Sequence, residues 1–321
     1  MASEIEDDDG RPIKEGSILV SARAKYLVHT LLGAGGFGAV FKVRDMQSGE
    51  DFAMKIEKKL EKRKHSKLKM EVAILKMVSN ERENSHFVQI VDRAKKEKFF
   101  FLVMTLVGKS LDDLKKEQPE KVFSVGTGIG SAMQCLEAVE DLHKYGFIHR
   151  DLKPANYAIG TADKIRTVYI LDFGIARKYL KDESTVKAPR VTVGFKGTIR
   201  FASLACHNNR ELGPKDDVES WLYLLVDLIQ ISGLPWRRLS DRNAVKKVKE
   251  ECRGDRRGEL LQDLECKEEL STIMEYIDNL SYSDKIDYNF IYDTLKLAAK
   301  ICKVDLEDPY DWEVPKKPAG Q

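Results

Sequence analysis

The string Gly33-Ala34-Gly35-Gly36-Phe37-Gly38-Ala39-Val40 runs into strand-forming residues, not into a helix. Residues 40–43 and 52–56 are mostly apolar and strand-like, and residues 45–51 between them contain Gly49, the pattern of a hairpin. Glycine has no Cβ, so backbone N–H groups around it can close on phosphate oxygens. A dinucleotide fold uses a similar string, but there the glycines open a helix. The order found here speaks against that fold. It calls for a β-rich unit whose leading hairpin covers a phosphate group.

Strand character lasts to about residue 107. One helix interrupts it: Leu68, Val72 and Leu75 recur at helical spacing, as do Met70, Ile74 and Met77. Phe99-Phe100-Phe101-Leu102-Val103-Met104 reads as a buried strand, and Gly108 after it marks a hinge. Beyond the hinge, Ile129, Met133, Leu136, Val139 and Leu142 form a helical stripe, and residues 168–171 a short strand. Residues 218–229 are apolar nearly all round, as in a helix central to a larger lobe. Further helices are expected near 245–251, 270–277 and 290–302. A cleft between two unequal lobes follows, and a small-molecule site belongs there.

The 321 residues are 42% hydrophobic and 33% charged, enough for a sizeable core under a well-solvated surface. A net charge of +2 is too near balance for nucleic acid or an anionic membrane to be the main partner. No apolar run approaches the roughly 20 residues of a membrane-spanning helix. The acidic start, through Asp7, Asp8 and Asp9, lacks the apolar stretch of a secretory leader. Five cysteines, an odd number without close spacing, fit reduced thiols in the cytoplasm or nucleus. A monomer is expected.

His149-Arg150-Asp151-Leu152-Lys153-Pro154-Ala155-Asn156 is followed sixteen residues later by Asp172-Phe173-Gly174. Asp151 can accept a hydrogen bond from an incoming hydroxyl and take its proton late. Lys153 can stabilise charge on a group in transit. Asn156 and Asp172 offer the hard oxygen ligands that suit Mg²⁺. A turn is the ordinary role of any single Asp or Asn. All of them in this order point to phosphoryl transfer, which asks chiefly for positioning and charge screening. His149 reads as a packed, structural histidine.

Lys55 lies seventeen residues past Gly38, in the strand that holds Ala53 and Met54. Glu71 shares a helix face with Leu68, Val72 and Leu75, which aims its carboxylate inward and demands a partner. Lys55 is the natural one, and the pair would hold the ammonium against nucleotide phosphates. The backbone of Thr105 and Val107 is suited to an adenine edge, with Met104 behind it. The basic run Lys58, Lys59, Lys62, Arg63, Lys64, Lys67 and Lys69 reads as a solvated face, with a nuclear address or anion site as the alternative. Arg190, Lys196, Arg237 and Arg238 are scattered; brought together, they would bind an acidic or phosphorylated substrate.

Together these motifs resemble the eukaryotic protein kinases. The match runs from about Tyr26 to Trp312, and Lys153 within the catalytic string is similar to serine/threonine rather than tyrosine kinases. Phe201-Ala202-Ser203-Leu204-Ala205 stands where A-P-E is usual, which resembles the casein kinase 1 superfamily. Gly146-Phe147-Ile148, the string from Gly194 to Arg200, and His207-Asn208-Asn209-Arg210-Glu211-Leu212-Gly213 are similar to its tau-tubulin kinase branch. Ala205 replaces that superfamily's asparagine, and Ser240 stands at the place of an anion-site lysine.

The resemblance implies an α+β bilobal fold: a flexible acidic arm over 1–19, a kinase domain over 20–312 with lobes 20–107 and 109–312, and a tail over 313–321. It implies ATP and Mg²⁺ as cofactors and protein substrates with Ser or Thr, acidic or primed ones among them. Asp151, Lys153, Asn156, Lys55, Glu71 and Thr198 become the catalytic set, and Asn156 and Asp172 the metal ligands. Leu32, the glycine string through Gly38, Val40, Ala53, Lys55, Met104, Thr105 and Val107 become the nucleotide site. Asp217 becomes a buried brace for the catalytic loop. The alternative is a catalytically silent scaffold, whose usual mark is the loss of residues such as Lys55, Asp151 or Asp172; all three are present.

Overall fold

The computed structural model describes residues 5–35, 38–59, 66–78, 84–182 and 184–314. Its first part is a sheet of β1 (Ile18–Val20), β2 (Lys25–Gly35), β3 (Gly38–Asp45), β4 (Asp51–Lys58), β5 (Ile90–Lys95) and β6 (Phe99–Thr105), with α1 (Lys67–Val78) between β4 and β5. The strand order is β1-β2-β3-β4-β6-β5, each neighbour antiparallel. Gly49 turns the β3–β4 hairpin at a φ of +77°, a conformation that favours glycine.

Alternation along the strands divides the sheet into two functional faces. Val40 pairs with Lys55 and Ala53 with Met104, so these four share one face. The other face carries Phe41, Val43, Met54, Ile56, Phe101 and Val103 into a separate core cluster. Ile5 and Ile13 join that cluster, 6% and 8% exposed. The loose arm expected over the first nineteen residues is therefore, from Ile5 onward, a docked segment. Ile13 N–H donates to the Ile5 carbonyl at 2.8 Å and Lys98 N–H to Asp8 at 3.1 Å. Acidic composition misled because two well-placed isoleucines suffice to seat a short segment.

In α1, Leu68, Glu71, Ile74, Leu75 and Val78 are buried. Met70 and Met77 are exposed, so the second apolar stripe is not a core stripe.

The second part contains α2 (Leu111–Lys116), α3 (Val125–Lys144), β7 (Phe147–Ile148), β8 (Tyr157–Ile159), β9 (Val168–Ile170), β10 (Arg177–Lys178), α4 (Leu204–His207), α5 (Pro214–Ile229), α6 (Arg242–Glu251), α7 (Arg257–Leu260), α8 (Lys267–Asn279) and α9 (Tyr288–Ile301). Helix α5 is buried from Asp216 to Ile229, and Trp221 Nε1 ties it to the Ala132 carbonyl of α3 at 2.7 Å. Near the end of the described chain, Asp311 accepts from Ser124 N and Oγ, both at 2.7 Å, at the start of α3. One core cluster runs from Leu68, Leu75 and Met104 of the small lobe into α3 and α5 of the large one. The result is the expected α+β bilobal arrangement. Among the described residues no helix is long and apolar enough to cross a membrane.

Candidate active site

Between the lobes lies a cleft of about 980 Å³. Leu32, Gly33, Ala34, Gly35, Gly38 and Val40 line its roof, with Ala53 and Lys55 behind them. Met104, Thr105 and Val107 line the hinge side, and Lys153, Asn156 and Asp172 the floor. Gly36 and Phe37 lie outside the described residues, as do Lys62, Arg63 and Lys64 of the basic run. Gly38 has a strict reason to be glycine: a Cβ there would meet the Ile56 carbonyl oxygen at 2.3 Å.

Lys55 Nζ donates to Glu71 Oε2 at 2.6 Å and to Asp172 Oδ1 at 3.0 Å. Asp172 is 117 residues away in sequence. Glu71 is 3% exposed, placed inward by α1. Burial alone would lower the ammonium's pKa, but the carboxylates of Glu71 and Asp172 outweigh it and raise the value. Burial likewise works against ionised Asp172, yet Lys55 holds its carboxyl down to about 2. A fixed cation and an ionised carboxylate therefore face the same space.

Asp172 adopts φ +64° and Arg150 φ +70°, left-handed values that are uncommon outside glycine. The surroundings hold both. Phe173 is buried, stacked on Phe87 and edge-on to His149. Both ring nitrogens of His149 are engaged: Nε2 donates to the Leu171 carbonyl at 3.1 Å, and Nδ1 accepts Asp151 N–H at 3.2 Å. His149 thus ties the two loops together. Asp217 accepts His149 N–H at 2.6 Å, Arg150 N–H at 2.8 Å and His143 Nε2 at 3.0 Å. It lies in the first turn of α5, where the helix dipole favours a carboxylate. Burial pushes its pKa up, but His143 and the amide donors prevail and the net shift is downward.

Asp151 Oδ1 accepts Thr198 Oγ1 at 2.7 Å, and Oδ2 accepts Lys153 Nζ at 2.8 Å. Lys153 Nζ also donates to Thr198 Oγ1 at 3.0 Å. Asn156 Nδ2 donates to the Asp151 carbonyl at 2.8 Å, which leaves its Oδ1 directed elsewhere. Gly197, at φ +92°, lets the chain pass close: a Cβ would meet the Arg150 carbonyl oxygen at 2.4 Å.

Two of the four residues expected to hold an anion, Arg190 and Arg237, have partners of their own. Arg190 forms a two-point pair with Glu211, its Nη2 at 3.0 Å, and Arg177 Nε approaches the same carboxylate at 3.4 Å. Arg237 Nη1 turns back to the Ile231 carbonyl at 3.3 Å, and the Arg237 carbonyl accepts Arg200 Nη2 at 3.1 Å. Charge count gave no hint that Glu211 would draw Arg190 away. Glu211 and Arg177 had no sequence signal, because their pairing with or near Arg190 depends on loops folding back from distant positions.

A protein kinase domain model matches residues 26–271. A putative serine/threonine-protein kinase of Caenorhabditis elegans is 33% identical over 268 residues, covering 82% of this chain and 78% of the relative. The serine/threonine-protein kinase spe-6 of the same organism is 31% identical over 315 residues, 96% of this chain and 81% of the relative. A putative casein kinase I from that organism is 32% identical over 310 residues, 94% of this chain and 86% of the relative.

Proposed function

Because the chain belongs to the protein kinase family, we propose that it moves the γ-phosphoryl group of ATP to Ser or Thr hydroxyls of proteins, with Asp151 as the base. The observation that carries this reading is that Lys55, Glu71, Asp172 and Lys153 line one cleft, and that Lys153 there bonds Asp151, which Thr198 also holds.

The donor chemistry fits a nucleotide and its metal. Gly33 and Gly35 have open space where a Cβ would stand, so backbone can approach phosphate. Asp172 and Asn156 supply hard oxygen ligands, and Mg²⁺ is commonly held by one or two such groups together with substrate phosphates. Bound there, the ion would screen the negative charge of the phosphates. Lys55 would hold those phosphates and Glu71 would hold Lys55. Asp151 would orient the acceptor hydroxyl and receive its proton, while Lys153 and Thr198 fix the carboxylate's rotamer.

We place the chain on the casein kinase 1 side of the family, toward the tau-tubulin kinases. The string Phe201-Ala202-Ser203-Leu204 and the likeness to a putative casein kinase I support this. The Arg190–Glu211 pair favours substrates that need no priming phosphate at Arg190. A reducing compartment, cytoplasm or nucleus, suits the five unpaired cysteines; imaging of the tagged chain tests it.

The deciding experiment is Mg²⁺-dependent transfer of labelled phosphate from ATP to casein, followed by phosphoamino acid analysis. Phosphoserine or phosphothreonine from wild type, with transfer sharply reduced in Asp151→Asn and Lys55→Met, supports the reading. Wild-type transfer no greater than in those variants, alongside a thermal shift with Mg²⁺-ATP, would establish the silent scaffold instead.

A further inference from the structure

Lys249 lies in α6, and its side chain is fully buried. Its Nζ donates to the Ala202 carbonyl at 2.6 Å and the Ile199 carbonyl at 3.2 Å. Trp236 Nε1 donates to the carbonyl between them, Arg200, at 2.8 Å. The Thr198 carbonyl is used within the turn, accepting Phe201 N–H at 3.0 Å and Ala202 N–H at 2.9 Å. The turn over 198–202 is thus gripped from the core side, one residue from the Thr198 hydroxyl that bonds Asp151.

The ammonium sits over the rings of Tyr223 and Trp236, 4.6 and 5.1 Å from their centroids. Facing it are His207 Nε2 at 3.4 Å and Cys206 from α4, Glu219 from α5, and Arg253 just past α6. Among the described residues no carboxylate bonds it. Burying a lysine without such a partner is costly. Burial drives its pKa down to about 7, with Glu219 opposing and Arg253 assisting. A methionine of similar length would fill the space without that cost. It would also leave the Ala202 carbonyl unpaired and the Ile199 carbonyl with only His207 Nε2 at 3.3 Å, and both belong to the turn that aligns Thr198.

We propose that Lys249 is a positioning residue for the phosphate acceptor, fixing from beneath the 198–202 turn that walls the acceptor side of Asp151. This rests on the kinase reading. Lys249 touches neither nucleotide nor acceptor; it acts through the turn. Misplacement of that turn falls on acceptor alignment, to which transfer rates are steeply sensitive. The nucleotide cleft is lined by other elements.

The test compares the full chain with Lys249→Met and Trp236→Phe, which keeps a ring under the ammonium but removes the donor to Arg200. Steady-state transfer to casein is measured with each substrate varied in turn. In Lys249→Met the acceptor KM rises roughly tenfold while the ATP KM stays within about twofold. Trp236→Phe shows the same split at about threefold, and it decides the matter alone should Lys249→Met not fold. A purely structural role would lower kcat through the active fraction and leave both KM values unchanged; that result, or a parallel rise in both, overturns the proposal. Wild type that transfers no phosphate sinks the kinase reading itself, whereas active wild type matched by both variants sinks only this inference.

Discussion

Thr198 Oγ1 and Asp151 Oδ1 lie 2.7 Å apart although 47 residues separate them in sequence. The hydroxyl also accepts from Lys153 Nζ, so three side chains form a closed triangle around the carboxylate. Each bond removes a rotational choice from Asp151. What remains is a carboxylate held in one orientation, as the proposed base requires.

Thr198→Val keeps the shape of the side chain and deletes the bond. Transfer kcat should fall roughly 10- to 100-fold, the cost of one charge-assisted hydrogen bond. ATP affinity should hold steady, since Thr198 does not line the nucleotide cleft. Asp151→Asn should cost more, about 10²- to 10⁴-fold, because proton acceptance goes too. Steady-state kinetics on the pair check the ranking, and equal losses would mean that Thr198 acts as part of the base itself.

Lys55 and Glu71 separate activity from stability. Lys55→Met strands Glu71, which is 3% exposed and already pushed toward protonation by burial. Removing one partner of a buried pair typically costs about 3–5 kcal/mol. Lys55 keeps 23% side-chain exposure, so a loss of roughly 2 kcal/mol is the better expectation here. Adding Glu71→Gln should recover most of the lost unfolding free energy and none of the transfer. Urea denaturation of both variants reads the first, and labelled-phosphate transfer the second.

The docked arm gives a third test. Ile13 is 8% exposed among Tyr26, Phe101 and Ile5. Ile13→Ala should destabilise the fold by about 2 kcal/mol, the low end for a buried isoleucine near the surface. At a temperature where the variant stays folded, kcat should match wild type, since the arm packs on the sheet face opposite Lys55. An unchanged melting temperature would show the segment to be seated only weakly.

Motifs whose chemistry is local in sequence were legible before any coordinates. The strand after the glycine string, the hinge at Gly108 and the inward aim of Glu71 all follow from periodicity and residue type. Side-chain partners across loops did not. Glu211 takes Arg190, and Lys249 takes the carbonyls of Ile199 and Ala202, because turns bring them together; no spacing rule connects them. Ile5 and Ile13 failed for another reason. Their segment is acidic overall, and average composition hides two residues that find a ready apolar face.

Asp216 makes the pH dependence of stability specific. It is buried at the start of α5; one carboxylate oxygen accepts Gly213 N–H at 2.8 Å, and among the described residues the other, Oδ1, makes no hydrogen bond. Burial raises its pKa to about 7, and nearby Glu219 adds to the shift while Gly213, Ser203 and Lys215 oppose it. Between about pH 4 and 7 the folded chain keeps a proton that the unfolded chain has lost. Its contribution to stability is therefore complete below the ordinary carboxyl range and disappears as pH rises through 7. Asp216→Asn has no proton to lose and can still accept from Gly213 N–H. Relative to wild type it should gain stability from about pH 5 to about pH 8, with a ceiling of roughly 4 kcal/mol from a pKa rise of about three. Lys249, with its pKa brought down to about 7, titrates in the same span, but both proteins carry it, so the difference largely cancels its effect. Urea midpoints at the two pH values read the gain, and parallel profiles would mean that Asp216 is ionised in the fold throughout.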